Sequence, residues 1–175
     1  MRLVALIGKG GSVFNAAMTV LGKEVDLHSV VIYNHLFKPG SKAIRDKTHF
    51  IKMNDVFYRR LHRLIKPVRK DAIVFSWFNK IMPPWFFRLD YRAYNQHPSL
   101  LPAFQGLNAW QQALNYGVKI TGSTIHEMTE NVDCGKIILQ DALRIDSRHP
   151  VENRHLLFNL QVNQFVEFIR TRAWE

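Results

Sequence analysis

One cysteine, Cys134, stands in 175 residues. That excludes an internal disulfide framework and any cysteine-built zinc cage, and it fits a reducing compartment. No apolar run reaches the ~18 residues that a bilayer crossing needs. The opening Met1-Arg2-Leu3-Val4-Ala5-Leu6-Ile7-Gly8 is too short for a secretory leader and runs straight into a glycine loop, so it reads as a strand. The expectation is a cytoplasmic protein with no membrane partner. Repeats and low-complexity segments are absent too. Acidic side chains are scarce: 14 Asp and Glu face 24 Lys and Arg, a formal charge of +10.

What is present is ordinary globular material. With 47% hydrophobic and 22% charged residues, a disordered chain is excluded, and residues 1–175 suit one domain that buries roughly 70% of its unfolded surface. The charge is uneven. Residues 1–92 hold 17 basic and 6 acidic side chains, residues 93–175 hold 7 and 8, and residues 38–70 alone hold 11 and 2. Such a field attracts phosphorylated metabolites, polyglutamate tails or nucleic acid, or serves only as a solvated helix surface.

Hydrophobic patterning predicts strands at Arg2–Ile7, Asp26–Tyr33, Ile73–Trp77, Tyr94–His97, Thr121–Met128 and Lys136–Leu143. It predicts helices at Val13–Leu21 (stopped by Gly22), after Asn54 as a cap, at Asn108–Tyr116 (stopped by Gly117) and at Glu152–Arg170. A loop at Lys38-Pro39-Gly40 leads to a short helical stretch and an extended His49–Met53. In the helix after Asn54, Phe57, Leu61 and Leu64 make the apolar face, Arg59, Arg60, Arg63 and Lys66 the polar one, and Pro67 ends it. Strands alternating with helices imply a Rossmann-like α/β fold, a mostly parallel sheet flanked by helices. The last two strands, with no long helix between them, suit an antiparallel edge.

The turn after the first strand, Gly8-Lys9-Gly10-Gly11-Ser12, can offer backbone N–H groups to an anion. Val13 stands where the dinucleotide fingerprint needs a third glycine, and Tyr33-Asn34 where it needs an acid, so a nicotinamide cofactor is disfavoured. The lysine of a Gly-Lys-Ser/Thr phosphate loop is missing as well. A simple phosphate-binding turn or a merely tight strand–helix turn remains.

The informative stretch is Asn95-Gln96-His97-Pro98-Ser99-Leu100-Leu101-Pro102, followed by Gly106-Leu107-Asn108-Ala109, Thr121-Gly122-Ser123-Thr124-Ile125-His126 and Val132-Asp133-Cys134-Gly135. An Asn amide donates to a developing oxyanion without changing charge. A histidine two residues along an extended segment projects to the same side and titrates near neutrality. An aspartate in a late loop can orient that imidazole or position a water that collects a proton. Pro98 and Pro102 stiffen the loop at the strand end, where α/β folds place ligands.

Taken together these motifs closely resemble the folate-dependent formyltransferase family, and within it the phosphoribosylglycinamide formyltransferases. The match is strong over residues 72–143, weaker over 1–35 and thin elsewhere. The resemblance implies Asn95, His97 and Asp133 as a catalytic triad. Asn95 and a protonated His97 would stabilise the oxyanion formed when a primary amine attacks the formyl carbon of 10-formyltetrahydrofolate, while Asp133 orients His97 and relays the amine's proton. No metal is implied, and His126 would support the loop bearing Asp133. The formyl donor's pteridine would lie against Lys80, Ile81, Met82 and Phe87, and against the loop with Thr129, Asn131 and Asp133. The acceptor, a small phosphorylated amine, would use Gly10, Gly11, Ser12, Asn79 and Pro98. Trp77, Trp85 and Phe86 read as packing.

The chain departs from the family in two places. Lys9-Gly10-Gly11-Ser12-Val13 replaces Gly-x-Gly-Ser-Asn, and the final helix carries Asn159, Gln161, Asn163 and Gln164 where a Glu-His pair usually contacts the acceptor. The preferred acceptor is glycinamide ribonucleotide. An amino sugar linked to a nucleotide is the nearest rival. Initiator methionyl-tRNA formylation and formyl-folate hydrolysis are less favoured, because those branches usually carry a further domain. From another class comes a non-catalytic module presenting its basic face to nucleic acid.

Overall fold

The computed structural model describes residues 2–8, 11–33, 36–54, 56–68, 72–89, 91–146, 148–173 and 175. Lys9 and Gly10 of the glycine loop, Asn34, and Arg69 and Lys70 of the basic run lie outside the described residues. Seven strands form one sheet: β1 (Arg2–Ile7), β2 (Asp26–Ile32), β3 (Thr48–Phe50), β4 (Ala72–Trp77), β5 (Arg92–His97), β6 (Ile120–Glu127) and β7 (Ile137–Arg144), in the order β3-β2-β1-β4-β5-β6-β7. The β1–β2, β1–β4, β2–β3 and β4–β5 pairings are parallel and β6–β7 is antiparallel, the mostly parallel sheet with an antiparallel edge that the patterning predicts. Helices α1 (Ser12–Leu21), α2 (Lys42–Asp46), α3 (Phe57–Ile65), α4 (Ala109–Tyr116) and α5 (Pro150–Thr171) complete it, with 3-10 turns at Gly22–Glu24 and Pro84–Arg88. No helix among the described residues is long and apolar enough to cross a membrane.

The chain divides into two compact units, Met1–Asn95 and Gln96–Glu175. In the first, the unbroken apolar runs of β1 and β4 are buried on both faces: Leu3 to Leu6 and Val74 and Phe75 have no exposed surface, as parallel central strands require. Helix α3 seals this core with Phe57, Leu61 and Ile65. The expected Leu64 is only half-buried, because steps of four keep a side chain near one face whereas a step of three swings it to the edge of the stripe. Asn54 starts the turn into α3, its Oδ1 accepting from Val56 N at 3.2 Å and its carbonyl from Phe57 N at 2.9 Å. On the outer face Arg59, Arg60 and Arg63, with Val56, line a cleft of about 240 Å³.

In the second unit α5 packs against β6 and β7, and Trp110, Ile145 and Leu157 form a cluster with Leu114, Val118 and Leu143. The Thr-Gly of β6 has a steric cause: a Cβ on Gly122 would sit 1.9 Å from the carbonyl oxygen of Asp141. That backbone belongs to the paired strand β7 and cannot retreat without breaking the ladder. Gly122→Ala is therefore expected to destabilise the fold by about 3 kcal/mol or more, read as a lowered denaturation midpoint. An unchanged midpoint contradicts this packing.

Candidate active site

Strand β5 ends at His97, and the loop from β6 to β7 carries Asp133; the fold brings these two side chains together across 36 positions of sequence. His97 is 4% exposed. Its Nδ1 lies 3.3 Å from Asp133 Oδ2 and its Nε2 lies 2.8 Å from the carbonyl oxygen of Phe104. Asp133 Oδ2 also accepts from Gly106 N at 2.8 Å, and Oδ1 lies 3.5 Å from Nε2 of the buried His126. His126 Nδ1 is held by the Glu127 carbonyl at 2.8 Å. His126 thus faces the carboxylate oxygen that His97 does not.

The loop bearing Asp133 is tied down by local chemistry. Asp133 has φ 53°, a left-handed conformation that aspartate tolerates better than most residues. Glu127 N donates to Lys136 O at 2.9 Å across the loop's base, and Gln105 Nε2 donates to Asp133 O at 3.1 Å. A Cβ at Gly135 would lie 1.9 Å from Glu127 O, which is why glycine closes the Asp-x-Gly motif. The Pro98–Pro102 segment is anchored likewise: Thr124 Oγ1 donates to Ser99 O at 2.7 Å and accepts from Leu101 N at 3.1 Å, and Ser99 Oγ donates to Ala103 O at 2.6 Å. The Leu101–Pro102 peptide is cis.

Burial holds the His97 imidazole below its ordinary pKa, opposed by the Phe104 carbonyl and the Asp133 charge and assisted by His126. Burial works against the charged ring, while an acceptor beside each ring nitrogen works for it: a neutral imidazole carries one N–H and would leave its other nitrogen facing Phe104 O or Asp133 Oδ2 unsatisfied. Burial pushes the Asp133 carboxyl up, but the hydrogen bond with His126, the neighbouring His97 and the Gly106 N–H outweigh it and hold the group below the usual carboxylate range. Asp133 stays ionised.

Asn95 sits on β5, half-buried, two residues before His97. Of the other second-unit candidates, Thr129 and Asn131 are exposed on the Asp133 loop, with Thr129 Oγ1 donating to Asn131 O at 2.9 Å, and Pro98 is half-buried. In the first unit Gly11, in left-handed conformation at φ 66°, caps α1 with no side-chain hydrogen bond, and Ser12 is exposed at the helix start. Asn79 and Lys80 gather around Tyr33: the Tyr33 hydroxyl donates to Asn79 Oδ1, and Lys80 Nζ lies 5.4 Å from the Tyr33 ring centroid. Ile81 is 72% exposed with its carbonyl accepting from Tyr58 Oη at 2.7 Å; Met82 is 5% exposed, in the core; Phe87 is half-buried against Phe86. Of the three expected apolar walls, Ile81 and Phe87 are thus presented and Met82 packs inside.

Sequence reasoning missed Tyr33, the Phe104 carbonyl, the Gly106 N–H and the Gln96–Gln164 pair. Backbone groups leave no sequence signal. A glutamine in the middle of a buried strand does, because it needs a partner.

Residues 1–156 match the formyl transferase family, and the chain belongs to it. It is 40% identical over 157 residues to the trifunctional purine biosynthetic protein adenosine-3 of Drosophila melanogaster, covering 82% of this chain and 12% of that one. It is 36% identical over 90 residues to the formyltetrahydrofolate deformylase of Escherichia coli strain K12, covering 51% of this chain and 32% of that one. The chain thus spans about a tenth of the trifunctional relatives and a third of the deformylases. Among solved structures it is similar to the phosphoribosylglycinamide formyltransferase of Anaplasma phagocytophilum, with a TM-score of 0.82, 26% identity, and coverage of 99% of this chain and 87% of that one.

Proposed function

We propose that residues 1–175 act as one catalytic domain that moves the formyl group of 10-formyltetrahydrofolate to a primary amine, with glycinamide ribonucleotide as acceptor and the cytoplasm as its compartment. The observation that carries this is the buried His97–Asp133 pair at the end of the strand that also bears Asn95. Strand alternation puts Asn95 and His97 on one side of β5. The attacking amine forms the new C–N bond, and the Asn95 amide donates to the oxygen as it becomes an oxyanion. Protonated His97, held by Asp133 and the Phe104 carbonyl, adds its charge to the stabilisation of the oxyanion. Asp133 takes the proton shed by the attacking nitrogen and passes it to the folate nitrogen as the old C–N bond breaks, so the carboxylate ends as it began.

Formyl transfer asks the donor site for a flat apolar surface and for polar groups at the formyl carbon. Exposed Ile81 and half-buried Phe87 fit the first demand, with Lys80 and Met82 beside Ile81 in sequence. Thr129, Asn131 and Asp133 fit the second. Gly10, Gly11 and Ser12 would receive the acceptor's phosphate on backbone N–H groups, supported by the uncapped start of α1, with Asn79 and Pro98 as further acceptor contacts. Nothing in this chemistry calls for a metal.

The test is an incubation of the protein with 10-formyltetrahydrofolate and a panel of amines, following release of the deformylated folate. Turnover with glycinamide ribonucleotide alone supports the proposal. Turnover only with a nucleotide-linked amino sugar, or with no added amine, transfers the assignment to that acceptor or to water.

A second reading rests on the arginine-lined cleft of α3, which suits a nucleic-acid backbone. It requires steeply salt-dependent RNA binding together with no folate binding. Under the formyl-transfer reading, Arg59→Ala, Arg60→Ala and Arg63→Ala combined leave kcat for amine formylation within ~2-fold, because none of the three touches the reacting atoms.

A further inference from the structure

On the final helix, where Asn159, Gln161, Asn163 and Gln164 stand in place of the family's Glu-His pair, Gln164 is 1% exposed. Its side-chain amide is saturated from within. Oε1 accepts from Gln96 Nε2 at 3.0 Å and from Ser123 Oγ at 2.8 Å. Nε2 donates to Ser123 O at 3.0 Å and to Asp141 Oδ2 at 2.6 Å. Gln96 spends its other N–H on Gln161 O at 2.9 Å. The partners of this one carboxamide therefore stand on three consecutive strands, β5, β6 and β7. No capacity is left for a ligand.

An apolar residue at this point could close the helix–sheet layer equally well, but apolar contact has no direction along a strand. Hydrogen bonds of 2.6–3.0 Å do. The longitudinal setting of β5 against β6 and β7 is the quantity that the His97–Asp133 contact depends on: His97 follows Gln96 on β5, and Asp133 hangs from the loop joining β6 to β7. A slip of one residue moves a strand by about 3.3 Å, as much as the whole 3.3 Å contact.

We propose that Gln164 is a positioning residue: by clamping Gln96, Ser123 and Asp141 from behind the sheet, it sets the spacing between His97 and Asp133. The geometric part stands by itself, and the consequence for turnover rests on the formyl-transfer reading.

The experiment follows the His97 ring by NMR as a function of pH in the full chain, beside kcat, donor KM and the thermal midpoint, for Gln164→Leu and Gln96→Leu. Removing the clamp separates the imidazole from the Asp133 carboxylate, so His97 should titrate at lower pH than in the parent. With it, kcat should fall at least ~10-fold while donor KM stays within ~2-fold.

A folded Gln164→Leu protein with the parent's His97 titration and kcat overturns the proposal, whatever its thermal midpoint. If that variant does not fold, Gln96→Leu decides by the same criteria, since it leaves the bonds of Gln164 to Ser123 and Asp141 in place. If the parent turns over no amine, the functional reading has failed, and the ring titration alone still decides the positioning role.

Discussion

Replacing His97 by alanine should lower kcat for amine formylation by about 10³-fold while leaving the dissociation constant for the formyl donor within ~3-fold. The size follows from what is lost. A positioned donor at a developing oxyanion contributes on the order of 10²–10³, and removing the imidazole also takes a partner from the Asp133 carboxylate. His126 faces the other carboxylate oxygen, its Nδ1 committed to Glu127 O. Alanine also opens a cavity beside the Phe104 carbonyl, so part of a rate loss could come from the loop settling. His97→Gln separates these effects, because a carboxamide fills the space and can donate to Phe104 O but carries no charge. Both variants should be nearly equally slow. A glutamine variant with most of the parent rate means that His97 is scaffolding and its charge plays no part in the transfer.

The sheet could be read ahead because its strands obey simple rules. Arg2–Ile7 and Ala72–Trp77 are apolar without alternation, as doubly covered strands must be. The absence of a long helix between Thr121–Met128 and Lys136–Leu143 leaves only a hairpin-like pairing. The site was legible through motifs rather than periodicity, since nothing in the spacing of His97 and Asp133 says that they meet. Less legible were features that depend on tertiary partners. Leu64 and Ile65 compete for the same stripe, and only packing decides between them. The 3-10 turn at Pro84–Arg88 starts on the second of two prolines that suggest a plain loop. Met82 looks like an available pocket wall until the core claims it. Gln164 is the clearest case: four polar residues on one helix look alike in sequence, whereas a 100° step between neighbours sends Asn163 outward and Gln164 inward. The charge state of His97 is hidden for the same reason, because desolvation depends on what covers the ring.

Asp133→Asn is expected to cost about as much as loss of the histidine, roughly 10³-fold in kcat, although it removes no volume and no more than one charge. A carboxylate beside an imidazole accepts from its N–H and favours the protonated ring; an amide offers an N–H where an acceptor was needed, and the corresponding change in a Ser-His-Asp site costs about 10⁴. Here Oδ2 faces both His97 Nδ1 and Gly106 N while Oδ1 faces His126 Nε2, so an amide that keeps its oxygen for the first two turns its NH2 on His126.

The pH dependence gives an independent check. His97 acts in its protonated form, and burial holds its pKa below the ordinary value, so the parent's rate should fall on the alkaline side as the ring loses its proton. The Asp133 charge raises the His97 pKa; removing it should carry the residual activity's alkaline limb to lower pH. Stability runs in the same direction for both groups. The depressed His97 makes the unfolded chain bind more protons as pH falls from about 6.5 to the folded pKa, so stability declines through that window. The depressed Asp133 contributes stability above about 4 that is lost as pH falls through its folded pKa. Asp133→Asn should therefore flatten the acid end of the stability curve below pH ~4 while leaving the decline that begins near 6.5. An alkaline limb that stays at the parent's midpoint, or a rate within tenfold of the parent, detaches Asp133 from the proton chemistry of His97.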